Sequence, residues 1–415
     1  MAGILWYRGE EWRSVWDYWF KWTDEHFTGD DLPTTPSEKV DAPPDPKPHR
    51  DLYTLLRDNA DSDEILGELW TEVNTIPDWV DWAQIERGQQ VFLRYAGPAI
   101  FALTFQSLVG GMGGRRVVET LSRTGGFGVK VTRRRLLETF QHILQVTRDL
   151  ASVQPGGDGF ASSLRVRLGV PVNDLDSIGT ISTFSATLLW IGLPRQGIFL
   201  TDAEKADYLA LWRWVAFIMG TPTEAFASVT KARAMMESLL ASEIEPSDTS
   251  RVLANNVLSG LCNQPPSHVS REFLAAETYW LNGPKLARAL AVERPPFYYS
   301  LLIVGQCIFF MALFNLTVHK PELGALGKET NFEFQYIPTL DVMSTEAAAR
   351  SHHLEPSAQG STLGTNTSRR ARVTERRSLV VLLVAVAVAG LLAWLGIRSA
   401  SALFGRVAGM VSLDL

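Results

Sequence analysis

Cysteine is nearly missing from this chain: Cys262 and Cys307 are the only two in 415 residues. Without ligand-like spacing they exclude both a disulfide framework and a Cys-built zinc site. Charge is scarce as well, at 20% of residues, low for a soluble protein of this length. Positive charge is not in excess: a formal net charge of -6 and a pI near 5.7 argue against the basic surface of a nucleic-acid binder, so no nucleic-acid partner is expected. No secretory signal is expected, because Met1–Trp6 is too short for an apolar h-region and soon meets Arg8, Glu10 and Glu11. The glycine run Gly110-Gly111-Met112-Gly113-Gly114 is not a phosphate loop, since no strand precedes it and no Gly-Lys-Ser/Thr ends it.

What is present is tryptophan, apolar length and helical periodicity. There are 13 Trp, which fits membrane contact or a large apolar pocket. Residues 1–27 hold a Trp-rich amphipathic helix with Trp12, Trp16, Trp19 and Trp22 on one face. An interfacial anchor and a helix packed on its own domain both satisfy that pattern; the weakly basic polar face favours the second. Residues 28–48 are a Pro-rich linker.

A large helical domain is expected over residues 49–320. Periodicity predicts helices over 51–69, 82–92, 115–121 and 131–150, and the apolar run 95–109 reads as a buried helix. Pro171 stops any helix running through Arg165–Leu168, and Asn173 or Asp174 starts the next, over 176–191. Thr201-Asp202-Ala203-Glu204 is a capping-box pattern. Further helices are expected over 224–243, 247–261, 267–280 and 284–290. Tyr298–Val318 is apolar enough to be either the last buried helix or a membrane span.

Residues 321–377 are polar and read as a largely disordered tether. Leu379–Ile397 is then a run of 19 uncharged, almost wholly apolar residues, long enough to cross a hydrocarbon core of roughly 30 Å. Residues 398–415 form a short tail. Arg369, Arg370, Arg372, Arg376 and Arg377 precede the run while Arg398 and Arg406 follow it. The positive-inside bias therefore puts the main domain in the cytosol of a single-pass protein.

Three words of sequence carry a resemblance: Arg135-Leu136-Leu137-Glu138-Thr139, Arg165-Val166-Arg167-Leu168, and Gly169-Val170-Pro171-Val172-Asn173-Asp174-Leu175-Asp176-Ser177-Ile178-Gly179-Thr180. Gly192–Ile198 and Tyr208–Arg213 extend it, over about residues 51–320. The pattern resembles the catalytic domain shared by latex-clearing rubber oxygenases and the fungal endoplasmic-reticulum oxygenases of the mycophenolic-acid type. It implies an all-α fold, a single large helical domain of the rubber-oxygenase type ahead of the C-terminal transmembrane helix read above, and suggests the endoplasmic reticulum as the membrane. It also implies haem b and dioxygen-dependent cleavage of an apolar, isoprenoid or lipid-like substrate.

By the same resemblance, Arg135 and Thr139 match residues on the distal side of the haem, Arg135 to polarise bound dioxygen or pair with a haem propionate and Thr139 to hydrogen-bond bound oxygen, and Glu119 matches the base. A buried apolar pocket would raise the pKa of Glu119 toward a useful value. Arg167 belongs to the haem pocket, and Thr180 and Thr183 face it. Two departures stand out. Glu138 replaces the family's distal Lys, a potential ligand to iron. The Arg-Val-Arg-Leu run, which in the family leads into the His that binds iron, here runs straight into Gly169. His142, one turn beyond Thr139, is the remaining candidate donor, although a lone His on a helix is more often a satisfied core residue. No certain metal ligand results. The alternative is a haem-free, catalytically inactive relative that binds lipid or serves a structural role at the membrane; the axial His discriminates the two.

Overall fold

The computed structural model describes residues 51–123, 128–169, 172–263, 269–318 and 375–395. The Trp-rich helix of 1–27, the linker of 28–48 and most of the tether lie outside them. Among the described residues there is no strand, only one isolated bridge between Gly114 and Ile244. Fifteen α-helices follow in order: α1 Leu52–Asn59, α2 Glu64–Asn74, α3 Trp82–Arg94, α4 Ala96–Phe101, α5 Arg115–Arg123, α6 Val129–Thr147, α7 Leu150–Val153, α8 Asp158–Gly169, α9 Asp174–Phe184, α10 Asp202–Ile218, α11 Val229–Ser242, α12 Asp248–Leu261, α13 Arg271–Ala289, α14 Phe297–Val318 and α15 Glu375–Leu395.

Short polar side chains begin most of them. Asp63 and Asp81 accept backbone N–H groups at the starts of α2 and α3, and Asn173 accepts from the Asp176 N–H at the start of α9. Thr201 completes the expected capping box: the Glu204 N–H donates to its Oγ1 at 3.2 Å, and its own N–H donates to Glu204 Oε2 at 2.9 Å. Each cap satisfies donors that the first helical turn leaves without partners.

Two apolar clusters hold the helices together. The first centres on α3 and α10, which bury Phe92, Tyr208, Trp212 and Trp214. Trp214 meets Trp82 edge-on at 5.2 Å and stacks on Phe217 at 5.4 Å, while its indole N–H donates to the Val153 carbonyl at 2.8 Å. Gly88 lets the two helices touch, since an added Cβ would run into the Asp207 carbonyl. The second cluster gathers Leu253, Val257, Phe273, Leu281, Leu302 and Ile303 from α12, α13 and α14.

Several expectations change in detail. The apolar run 95–109 is helical, but from Ala102 to Val109 it widens into a π-helix. Residues 224–243 split into a 3-10 turn, Glu224–Phe226, and α11, where the Ser228 side chain caps a new start. The helices expected over 267–280 and 284–290 form one element kinked at Gly283, which adopts φ 80° ahead of Pro284. The choice left open for 298–318 resolves to a buried helix: Leu302 and Ile303 sit in the second cluster and Phe310 in the first. At the C-terminal end α15 starts at Glu375, so its first residues belong to a helix and not to the tether.

Candidate functional site

α6 carries three of the singled-out residues and lies between α8 and α12. Arg135 is partly buried, Thr139 is exposed, and His142 turns toward α8. Spacings of four and three put all three on neighbouring faces. His142 Nδ1 is hydrogen-bonded to Ser162 Oγ at 2.5 Å. Burial pushes the imidazole pKa down to about 4, because the charged ring loses its hydration between the helices. At neutral pH the ring is therefore uncharged and serves as a strut between α6 and α8.

The Arg165–Leu168 word forms the end of α8, and both its arginines reach across the fold. Arg165 makes a bidentate pair with Asp51, at 3.0 and 2.9 Å, and lies over the Tyr53 ring. The Arg165 guanidinium holds the Asp51 carboxyl well below the usual carboxylate range. Arg167 donates to Glu72 Oε1 at 2.8 Å and packs over Gly220. That position ties α8 to α2.

Glu119 and Thr180 both lie on exposed stretches of their helices, α5 and α9. Arg116 on α5 pairs with Asp176 on α9 at 3.3 Å, and Glu119 and Thr180 lie one turn beyond those two residues. The Glu119 side chain is 50% exposed and pairs with Arg115. The expected burial of Glu119 in an apolar pocket is thereby corrected. Thr180 is exposed and donates its hydroxyl to the Asp176 carbonyl at 2.8 Å. Thr183 bonds back to the Thr180 carbonyl in the same way.

These positions do not fit a haem. His142, Arg167 and Glu119 stand in three different places: the α6–α8 seam, the α2–α8 contact and an exposed turn of α5. His142 is the one histidine among the described residues, and it sits on the helix that the resemblance assigns to the opposite, distal side. A cavity of about 490 Å³ is lined by Ala60, Asp61, Gly67, Glu68, Trp70 and Thr71, which offer no nitrogen or sulfur donor for iron. A smaller one of about 90 Å³ lies beside Trp79 and Arg213. Among the described residues no group of three or more His, Cys, Asp or Glu is placed to hold a metal ion.

One buried group escaped sequence reasoning. Glu277 on α13 is fully buried, accepts from Gln306 Nε2 at 2.5 Å, and has no hydrogen-bond partner for Oε2. Burial raises its pKa to about 8. Its sequence signal is a lone carboxylate inside Phe273-Leu274-Ala275-Ala276-Glu277.

The comparisons with known proteins come down on the fold and the family. A model of the "ER-bound oxygenase mpaB/B'/Rubber oxygenase, catalytic domain" matches residues 93–300, half of the chain. The structure of latex clearing protein in its closed state superposes with a TM-score of 0.51 at 16% identity, covering 69% of this chain and 78% of that one. At that identity the likeness speaks for the helical fold. Among curated proteins, aurantioclavine synthase of Penicillium expansum is 53% identical over 34 residues, which is 8% of this chain and 7% of that protein. With the helical architecture and the family match in agreement, this chain belongs to the family of the ER-bound oxygenase and rubber oxygenase catalytic domain.

Proposed function

We propose that this chain is a membrane-held member of the oxygenase family that does not turn over substrate in the form described. The observation that carries the reading is the end of α8: Leu168 is followed directly by Gly169, and no side chain there is offered to iron. Glu119, Arg135 and Thr139 keep the residue types that the resemblance implies for catalysis, yet without an axial donor they have no reacting group to act on. The ligand class that fits this reading is apolar, isoprenoid or lipid-like, because α15 would hold the domain where such molecules partition. α15 is long and apolar enough to cross a membrane and is almost wholly unburied. The reading places that membrane at the endoplasmic reticulum, with the main domain cytosolic.

A second reading is the active oxygenase, with haem b and dioxygen-dependent cleavage. It is favoured by Arg135 and Thr139 lying one turn apart on a single helix face. Dioxygen uptake separates the two. With membranes bearing the full chain, added haem and a polyisoprenoid, the first reading expects no uptake above that of membranes alone. Uptake should appear once a helical segment bearing His is inserted between Leu168 and Gly169. Substrate-dependent uptake by the unaltered chain would overturn the first reading.

A further inference from the structure

α15 does not leave the domain on a loose tether. The Glu375 carboxylate is almost fully buried and accepts from the Ser270 N–H at 3.3 Å, at the first turn of α13. Partial positive charge at that helix start suits a carboxylate. Glu375 is also an electrostatic neighbour of Tyr298 and Tyr299 at the start of α14. Two turns further on, Gly305 of α14 lies against the Ser378 carbonyl and Leu382, close enough that an added Cβ would collide with the carbonyl. At the same level Gln306 bonds to Glu277 on α13. The three helices therefore start together and run in one direction, with α15 docked through its first two turns.

From Leu383 onward α15 is mostly exposed, as at Leu383, Leu391 and Leu392. The uncharged run begins at Leu379, and the 13 helical residues from Leu383 to Leu395 rise only about 20 Å at 1.5 Å per residue, short of the roughly 30 Å of a hydrocarbon core. The turn from Leu379 to Leu382 must then also lie at membrane depth, and that turn is packed on α14. The domain surface at this level is drawn down to the bilayer. What stands there is Trp280, one turn past Glu277, 37% exposed, with its indole N–H donating to the Arg195 carbonyl at 2.7 Å. Beside it, Gly197 packs on Met311 of α14, and Phe199 protrudes with 76% of its surface exposed. An amphipathic indole and an exposed phenyl ring suit the headgroup boundary.

We propose that the Trp280–Phe199 edge rests in the interface of the phospholipid bilayer that α15 crosses, so that the domain is held on the membrane in one fixed orientation. This rests on the membrane reading given above. The test is fluorescence quenching with the full chain in vesicles of phosphatidylcholine and phosphatidylserine with brominated acyl chains. A bimane label is placed at Phe199→Cys in a Cys262→Ser background; Cys307 is buried and stays unlabelled. The control label is at Ile65→Cys, equally exposed at 77% on α2. If the edge is seated, the label at 199 loses roughly half of its emission, as expected 5–10 Å into the boundary, and the label at 65 does not change. Protein that floats with the vesicles but shows no quenching at 199 overturns the seat and leaves the anchor standing. Protein that does not float overturns the anchor and the seat with it.

Discussion

A carboxyl group with one partnered oxygen in an apolar cluster is the clearest chemical tension at the scale of single residues. Glu277 has its pKa raised to about 8 in the fold, against roughly 4.3 in an unfolded chain. The fold retains a proton that the unfolded chain releases, so stability is full below about pH 4.3 and is lost as pH rises through 8. Glu277→Gln should therefore be more stable than the parent by about 4 kcal/mol at pH 8 and show little gain at pH 4.5, read from urea melts. His142 titrates with the opposite consequence. Its folded pKa near 4 lies below the unfolded value of about 6.5. The contribution is full above pH 6.5 and disappears as pH falls toward 4, at a cost of about 2 kcal/mol. Melts at pH 7 and pH 4.5 should show that loss, and His142→Gln should remove most of the difference. The residue types of the site were legible, but their surroundings were not. Arg165 and Arg167 find Asp51 and Glu72, which lie 114 and 95 residues earlier in the chain. Glu119 reads like a base in sequence and stands half in water. No local pattern encodes such long-range pairings.

Among the elements, the α3–α10 contact is the one on which the first cluster depends. It is set by a missing side chain: Gly88 abuts the Asp207 carbonyl. Gly88→Ala should push the helices apart and destabilise the domain by about 2 kcal/mol, seen as a lowered Tm. The analogous change at Gly128, where an added Cβ meets nothing within 4 Å, should have a much smaller effect. Helix starts were legible wherever a short polar side chain precedes a periodic stretch, as at Thr201, Ser247 and Asn173. The π-helical stretch Ala102–Val109 was not, because a run that is apolar on every face carries no period to read. The same ambiguity attended Phe297–Val318. Its burial is decided by what packs on it, including Phe101 and Leu382.

Over the whole molecule, the proposed function turns on two features: whether α15 seats the domain on a membrane and whether the domain holds haem. The apolar length of Leu379–Ile397 was readable in sequence; the docking of Glu375 at Ser270 and of Gly305 at Ser378 was not. Those contacts pack the first turns of α15 on α13 and α14, and the proposed orientation on the membrane follows from them. The family match covers residues 93–300, and within that range α8 ends at Gly169 without a donor for iron. The most direct measurement of the central claim is the ultraviolet–visible spectrum of the purified full chain titrated with haem. The account predicts no stoichiometric Soret band beyond that of free haem. A one-to-one Soret band that is lost in His142→Ala would contradict it and make His142 the axial donor of a rebuilt site.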